Sequence, residues 1–245
     1  MQRVLSWIAL PFFLAVFIGV LLVFHPLLVI ANLVSAKAFR KVFHLMNWSV
    51  LASLKVSGTS FEISFEESLP KNQPLIVASN HQSMFDIPFL IWTFRDHNPV
   101  FISKKELGRW IPTISFSLRH MGSTLIDRND PKQAVGAIGE FGKSLSARKQ
   151  AGFIFPEGTR ARDGVKNPFK KKGLKTLLEN APDAMLVPVV IDNSWKLVSH
   201  GLFPVPWGTH LTLRVLKPVA RAGKDADTLV GECEAFIDKT LTEGA

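Results

Sequence analysis

The chain has 245 residues, 47% of them hydrophobic, and a formal net charge of +9 at pH 7. This length suffices for one good-sized globular domain with some residues left over. The excess of basic residues indicates an anionic partner, which is a nucleic acid, an anionic lipid surface or a phosphorylated substrate. The single cysteine, Cys233, excludes an intrachain disulfide, and the seven histidines contain no His-x-x-x-His pair of the kind that binds zinc.

The N-terminal segment is hydrophobic enough to enter a membrane. Val4 to Phe24 is apolar except for Ser6, and its 21 residues are close to the ~20 needed to cross a bilayer as a helix. We consider a single transmembrane helix, a helical hairpin that bends at His25-Pro26 and dips into one leaflet, and a signal peptide. The run exceeds the ~7–15 apolar residues of a signal peptide, and no clear small-x-small cleavage site follows it. We therefore expect a membrane anchor, with spanning and dipping both open, and a lipid rather than a nucleic acid as the anionic partner.

Basic residues are distributed unevenly around this anchor. Arg3 precedes it, whereas the larger group follows it, namely Lys37, Arg40, Lys41 and Lys55. The positive-inside rule then predicts that the remaining chain faces the cytoplasm. Residues 38–54 mix bases with apolar side chains, which fits either an interfacial amphipathic helix or a linker helix packed on the domain. We expect an anchor over residues 1–54 and a folded domain over residues 55–245.

The remaining sequence alternates short apolar runs with helical patterns. Strands are predicted at 56–65, 75–78, 100–103, 123–127, 153–155, 185–191 and 211–216. Helices are predicted from Asp86, at 131–147, at 174–178 and near the C-terminus, and a further helical face comprises Leu107, Trp110, Ile111, Ile114, Leu118 and Met121. This alternation predicts an α/β domain with a mostly parallel central sheet flanked by helices.

The heptapeptide NHQSMFD, residues 80–86, contains a candidate base and a candidate carboxylate. Histidine is the side chain whose ordinary pKa suits proton transfer near neutrality, and a base of this kind needs an orienting acid, here Asp86 for His81. Five positions turn a regular helix by ~500°, so the two side chains would not share a helical face. Their pairing requires the loop and helix start that the sequence predicts between them. Ser83 would complete a Ser-His-Asp set, but the chain has no G-x-S-x-G elbow, which disfavours a hydrolase of that type.

A second motif, FPEGTRA at residues 155–161, is suited to holding an anion. Gly158 lets the backbone approach a ligand closely, and Thr159 offers a hydroxyl. The guanidinium of Arg160 matches a phosphate with two parallel hydrogen bonds. We expect Glu157 to hold Arg160 or another base in place.

Other basic residues are weaker candidates for the same site. Lys105 and Arg128 flank the helical face defined above, and we favour them over Lys170 to Lys172. Residues 137–144 nearly match a phosphate-binding P-loop, but Ala137 replaces the first glycine and no strand precedes it. That segment is therefore predicted to be helical and not to bind a nucleotide.

These motifs together resemble the 1-acyl-sn-glycerol-3-phosphate acyltransferase family of glycerolipid acyltransferases. The resemblance covers residues 75–191 and consists of NHQSMFD, KKELGRWIP with GSTLIDR, FPEGTRA and VPVVI, in the family's order and at its spacing. FKKKG at residues 169–173 resembles a further recurrent segment. One visible departure is Ser115, where the family usually has a glycine.

The resemblance implies an activity and roles for the residues. His81 would deprotonate the sn-2 hydroxyl of lysophosphatidic acid, which attacks the thioester of acyl-CoA or acyl-carrier protein and gives phosphatidic acid for phospholipid synthesis. Asp86 would orient His81. The glycerol phosphate would be held by Glu157, Gly158, Thr159 and Arg160, assisted by Lys105 and Arg128. No metal or other cofactor is implied, and the expected location is the inner (cytoplasmic) membrane with the catalytic domain in the cytoplasm.

Two alternatives remain open at this point. One is the same reaction on another lysolipid acceptor, either a lyso-aminolipid or a lysophospholipid. The other is a non-catalytic protein of the same fold that binds anionic lipids, against which the intact His81 and Asp86 argue. The acyl-chain length would depend on a tunnel lined by the face from Leu107 to Met121.

Overall fold

The computed structural model describes residues 1–108, 112–127, 129–201 and 203–243. The α-helices in this part of the chain are α1 (Gln2–Val34), α2 (Ala36–Ser53), α3 (Asp86–Thr93), α4 (Pro112–His120), α5 (Pro131–Arg148), α6 (Lys171–Asn180) and α7 (Ala226–Glu243). The strands are β1 (Ser60–Phe65), β2 (Leu75–Ser79), β3 (Pro99–Lys104), β4 (Thr124–Ile126), β5 (Ala151–Ile154), β6 (Met185–Asp192) and β7 (His210–Val215).

The strands form one sheet in the order β1-β7-β6-β2-β5-β3-β4. Five neighbouring strands, from β6 to β4, run parallel, whereas β7 pairs antiparallel with β6 and parallel with β1. The predicted α/β fold with a mostly parallel sheet is therefore confirmed. Strand β2 lies at the centre between β5 and β6, so the residues after β2 emerge between the carboxyl ends of its neighbours.

Both faces of the central strands β2, β5 and β6 are buried, which explains their continuous apolar runs. In β2, Leu75 and Val77 pack on the side of α1, α2 and α3, whereas Ile76 and Ala78 pack on the side of α5, α6 and α7. Side chains alternate between faces along a strand, so the four-residue apolar run of β2 contributes to both cores. These runs are the signal that located the central strands in the sequence.

The N-terminal hairpin bends at Ser35 and not at His25-Pro26, which corrects one of our alternatives. Helix α1 continues through Pro11 and Pro26 to Val34. A proline removes one intrahelical hydrogen bond, and packing of Phe13 and Leu28 into the core holds the helix on both sides of the interruption. Ser35 is extended, with φ −173° and ψ 158°, and its side chain accepts a hydrogen bond from the Ala38 amide. It therefore caps α2 and reverses the chain.

One face of helix α1 packs on the domain, and the opposite face is exposed. Phe13 and Leu28 are fully buried, the backbone amide of Trp207 donates to Ser6 Oγ, and the Thr113 hydroxyl donates to the Leu21 carbonyl. The outer face is apolar along its whole length and exposes Val4, Trp7, Ile8, Phe12, Val16, Ile18, Leu22, Val23, Leu27, Ile30, Leu33 and Val34. Among the described residues, α1 is the one helix long and apolar enough to cross a membrane.

Helix α2 packs on the domain, as one of our two interpretations predicted. It buries Phe39, Phe43, Met46 and Leu51 in the same core as the sheet residue Val77. The predicted anchor, residues 1–54, and the predicted domain, residues 55–245, thus share one hydrophobic core.

The predicted helical face between Leu107 and Met121 is divided in the structure. Lys105–Gly108 forms a short 3-10 turn, and α4 begins at Pro112. Trp110 and Ile111 lie outside the described residues. The P-loop-like segment at 137–144 lies inside α5, as predicted.

Candidate active site

Asn80 fixes the point at which the chain leaves the sheet. Its side-chain amide donates to the Ile191 carbonyl at 2.7 Å, and the Ile191 amide donates to Asn80 Oδ1 at 2.8 Å. The side chain thereby continues the ladder between β2 and β6 with a pair of bonds that backbone groups would otherwise make. As a result His81 is held at the carboxyl edge of the sheet, where α/β proteins bind ligands.

His81 and Asp86 form the predicted pair. His81 Nδ1 lies 2.8 Å from Asp86 Oδ2, and the imidazole ring stacks on Phe155 with a centroid distance of 3.9 Å. Asp86 opens α3, so the loop and helix start place the carboxylate where a continuous helix would not. Because Nδ1 is engaged by Asp86, Nε2 is the nitrogen left to face the cleft that His81 lines.

Asp86 is fully buried and surrounded by donors. Oδ2 also accepts from the backbone amides of Gln82 (2.7 Å) and Ser83 (2.9 Å). Oδ1 accepts from the hydroxyls of Ser83 (3.3 Å) and Ser194 (2.5 Å). These five donors stabilise a buried negative charge and fix the orientation of the carboxylate. Sequence reasoning missed Ser194, which comes from the turn after β6 and is 108 residues away along the chain.

Glu157 links the FPEGTRA segment to the NHQSMFD segment through buried hydrogen bonds. Its Oε1 accepts from the His81 backbone amide at 2.7 Å, and its Oε2 accepts from the backbone (2.7 Å) and side-chain (3.1 Å) amides of Asn167. The side chain is 1% exposed. Burial raises the pKa of the Glu157 carboxyl above its ordinary value, although the hydrogen bonds from His81 and Asn167 act in the opposite direction. This geometry gives Glu157 a cross-linking position and not the substrate contact that we expected.

The backbone of His81 is held on its other side as well. The Ala161 amide donates to the His81 carbonyl at 2.7 Å. The FPEGTRA segment therefore hydrogen-bonds both the N–H and the C=O of His81. Within that segment, Gly158 closes a turn by donating to the Phe155 carbonyl and has a φ of +71°, a conformation that favours glycine. The turn directs Thr159 and Arg160 toward the cleft.

The cleft itself has a volume of about 240 Å³ and a basic wall. Of the predicted site residues, His81, Thr159 and Arg160 line it. Its other cationic side chains are those of Lys104 and Arg162. Lys105, the neighbour that we predicted, is exposed at the start of the following 3-10 turn and is not among the described residues that line the cleft.

One predicted site residue falls outside the described part of the chain, and another residue of the cleft was not predicted. Arg128 lies outside the described residues. Arg162 was missed, although it stands two positions after Arg160 in a segment with little regular structure, where alternate residues share a side. No group of three or more His, Cys, Asp or Glu side chains suited to a metal ion occurs within the described ranges.

A larger apolar cavity of about 250 Å³ opens from the cleft. The two share Ile87, Phe101, Leu107 and Arg160. Of the helical face predicted to line a tunnel, the described members Leu107, Ile114, Leu118 and Met121 all line this cavity. Helices α1 and α2 supply further walls through Phe17, Leu21, Phe43, Met46, Asn47 and Val50.

Ser115, the residue that departs from the family pattern, supports this wall. It is 2% exposed, and its hydroxyl donates to the Leu107 carbonyl at 2.8 Å. The hydroxyl thus ties α4 to the 3-10 turn before it, across the junction between cavity and cleft.

The site therefore combines a buried acid–base pair, a basic wall and an apolar chamber, and comparison with known proteins agrees with it. The sequence model of the family described as Acyltransferase matches residues 60–192, more than half of the chain and both motifs. The chain belongs to the acyltransferase family. Two curated relatives in this family are 1-acyl-sn-glycerol-3-phosphate acyltransferases. The one from Saccharomyces cerevisiae is 27% identical over 86% of this chain and 65% of its own length. The chloroplastic one from Arabidopsis thaliana is 27% identical over 93% of this chain and 61% of its own.

The chain thus spans less than two thirds of the length of these curated acyltransferases. The fold also matches that of a solved acyltransferase. The crystal structure of the 1-acyl-sn-glycerophosphate acyltransferase from Thermotoga maritima superposes with a TM-score of 0.79. That match covers 99% of this chain and 97% of the other at 20% identity, which supports the shared fold.

Proposed function

We propose that this protein transfers a fatty acyl group from acyl-CoA or acyl-carrier protein to the sn-2 hydroxyl of lysophosphatidic acid. The observation that carries the proposal is the His81–Asp86 pair at the junction of a basic cleft and an apolar cavity. A lysophosphatidic acid molecule has three neighbouring groups that match these features. Its hydroxyl would meet the base, its phosphate the basic cleft and its hydrocarbon chain the apolar cavity. The names of the curated relatives support this choice of acceptor.

In the proposed reaction His81 acts first as a base and then as an acid. Nε2 takes the proton of the acceptor hydroxyl while its oxygen forms a bond to the thioester carbon. The carbon–sulfur bond then breaks, and the departing thiolate receives that proton from the imidazolium. Asp86 stabilises the transient positive charge on His81, and its two amide donors from Gln82 and Ser83 keep the carboxylate in place.

The remaining site residues bind and position. Arg160 and Thr159 hold the phosphate, with Lys104 and Arg162 adding positive charge along the cleft wall. Glu157 positions the backbone of His81. The apolar cavity takes a fatty acyl chain, which removes water from the neighbourhood of the thioester. None of these steps needs a metal or another cofactor.

We further propose that α1 lies within one leaflet of the inner membrane and that the catalytic domain faces the cytoplasm. The exposed apolar face of α1 runs its whole length, while its inner face is attached to the domain from Ser6 to Ala31. A helix fixed along its side in this way supports dipping over spanning. The cavity opens beside Phe17 and Leu21, so a lipid acceptor would reach it from the bilayer.

An acceptor panel tests the proposal. The purified protein in detergent micelles receives one acyl donor together with lysophosphatidic acid, lysophosphatidylcholine or a lyso-aminolipid. We expect product from lysophosphatidic acid and none with His81→Ala. Product from another acceptor alone would replace the substrate. No product from any acceptor, with vesicle binding intact, would favour a lipid-binding protein without catalysis.

A further inference from the structure

A second, smaller cavity adjoins the cleft at Phe155 and does not include His81 in its lining. Its volume is about 140 Å³, and four of the nine described residues that line it are isoleucines: Ile102, Ile126, Ile138 and Ile154. Ile102 and Phe155 line both this cavity and the cleft. Because Phe155 stacks on the His81 ring, a molecule extending from the cleft past Phe155 would keep one end beside the base.

A glycine in the first turns of α6 keeps this cavity open. Gly173 lines it, and a Cβ placed there would lie 3.4 Å from Ile154 Cδ1 and 3.7 Å from Ile138 Cδ1, ordinary contact distances. Alanine would therefore fit, and it is favoured over glycine inside a helix. Packing and backbone conformation therefore do not require a glycine at this position, and a side chain larger than that of alanine would occupy the cavity.

A lysine stands at the rim of the same cavity. The Lys170 side chain lies against Gly158, with its Nζ 3.2 Å from where a Cβ on that glycine would be. The Lys170 backbone amide donates to the Pro156 carbonyl at 2.8 Å, which fixes the base of this side chain. Lys171 and Lys172 follow it and are exposed. The cavity thus has an apolar floor and a cationic mouth.

We propose that this cavity holds the phosphopantetheine arm of the acyl donor, an inference that rests on the proposed function. The acceptor phosphate occupies the basic cleft and an acyl chain occupies the larger cavity, so the thiol that leaves beside His81 needs a third path. Phosphopantetheine is a slender chain with a thiol at one end and a phosphate at the other, and acyl-CoA and acyl-carrier protein share it. The thiol end lies at Phe155 and the phosphate end at Lys170.

The test compares donors that differ only in this arm. Acyl-4′-phosphopantetheine carries the complete arm with its phosphate, acyl-pantetheine lacks the phosphate, and an acyl-N-acetylcysteamine thioester lacks most of the arm. Acyl-CoA, which adds a nucleotide to the complete arm, is measured beside these three. Gly173→Leu fills the cavity, and Gly136→Leu is its control, because Gly136 lies inside α5 with nothing within 4 Å of its missing Cβ. Lys170→Ala removes the cation at the mouth, with Lys172→Ala as its control.

We expect Gly173→Leu to raise the KM for acyl-CoA about tenfold, because the phosphopantetheine arm loses its contacts with the wall of the filled cavity. The KM for lysophosphatidic acid and for the truncated thioester should stay within about twofold of wild type. Lys170→Ala should reduce the difference in KM between acyl-4′-phosphopantetheine and acyl-pantetheine, because it removes the cation proposed to meet the phosphate. Acyl-carrier protein carries the same arm, so the KM for its acylated form should also rise about tenfold with Gly173→Leu.

Two results would overturn the assignment. One is a rise in the KM for lysophosphatidic acid with no change for acyl-CoA. The other is an equal rise for all three donors, including the truncated one. If the wild-type protein acylates no acceptor, the proposed function fails by itself, and calorimetric binding of CoA still tests the cavity: equal affinity of the Gly173→Leu and Gly136→Leu proteins would reject it.

Discussion

The substitution Asp86→Asn separates the charge of Asp86 from its hydrogen bonds. Oδ2 accepts three N–H groups, whereas Oδ1 accepts two hydroxyls, from Ser83 and Ser194. A hydroxyl can rotate and accept a bond instead of donating one. The asparagine oxygen can therefore take the place of Oδ2, and its amide group can donate to the two serines. The variant should fold, with a loss of about 1–3 kcal/mol because charge-assisted bonds become neutral ones.

The effect on catalysis should be larger. An imidazolium and a carboxylate about 4 Å apart, in surroundings of effective dielectric constant about 20, attract each other by about 4 kcal/mol. Without that attraction the barrier rises by the same amount, which corresponds to an about thousandfold lower kcat. The assay is phosphatidic acid formation at saturating donor and acceptor, with a thermal melt of each protein in the same detergent.

Ser194→Ala is the matched variant for this experiment. It removes one of the five donors to Asp86 and leaves the carboxylate charge and its contact with His81 intact. We expect its kcat to fall about tenfold or less, in line with one lost hydrogen bond. An Asp86→Asn protein that is folded and retains kcat within about tenfold of wild type would refute the assigned role of the charge.

Three further predictions follow from the site and its surroundings. Arg160→Ala should raise the KM for lysophosphatidic acid about 10- to 100-fold, because it removes a charge-assisted bond worth about 1.5–3 kcal/mol, and a rise for the donor alone would contradict the phosphate assignment. Val50→Phe enlarges a side chain of α2 that lines the apolar cavity, and it should displace about three methylenes of a bound acyl chain, which costs about 2.4 kcal/mol of burial free energy. In a series of acyl chain lengths, kcat/KM should therefore fall selectively for the long chains. Burial, together with repulsion from Arg40, lowers the pKa of His44 from 6.5 to about 4. The unfolded chain therefore binds a proton at His44 below pH 6.5 that the folded protein does not bind until about pH 4. The free energy of unfolding should fall by about 3 kcal/mol as the pH drops from 6.5 to 4, and melts of His44→Gln should lack that decline.

The central strands and the catalytic pair could be predicted because their signals are local. A buried parallel strand is a short apolar run, and β2 is one. The same strand, followed by a helix start at Asp86, gave the geometry that lets His81 meet its acid across five positions. Ser194 had no such signal, since its contact with Asp86 depends on the pairing of β2 with β6.

Other differences arose where tertiary packing decides between local alternatives. Pro26 favours a break in an isolated helix, yet α1 continues past it because the helix is supported along the domain, and Ser35 makes the turn. Glu157 was expected beside a base at the anion site, and its position in sequence does not reveal that Asn167 and the His81 backbone occupy its oxygens. A contact between residues 76 positions apart is set by the fold and not by the motif.

The measurement that tests the account most directly is single-turnover acylation of lysophosphatidic acid by the wild-type and His81→Ala proteins, with binding to anionic vesicles recorded on the same samples. We predict that only the wild-type protein forms phosphatidic acid and that both proteins bind the vesicles equally. Phosphatidic acid formed by the His81→Ala protein at the wild-type rate would contradict the assignment of His81 as the base.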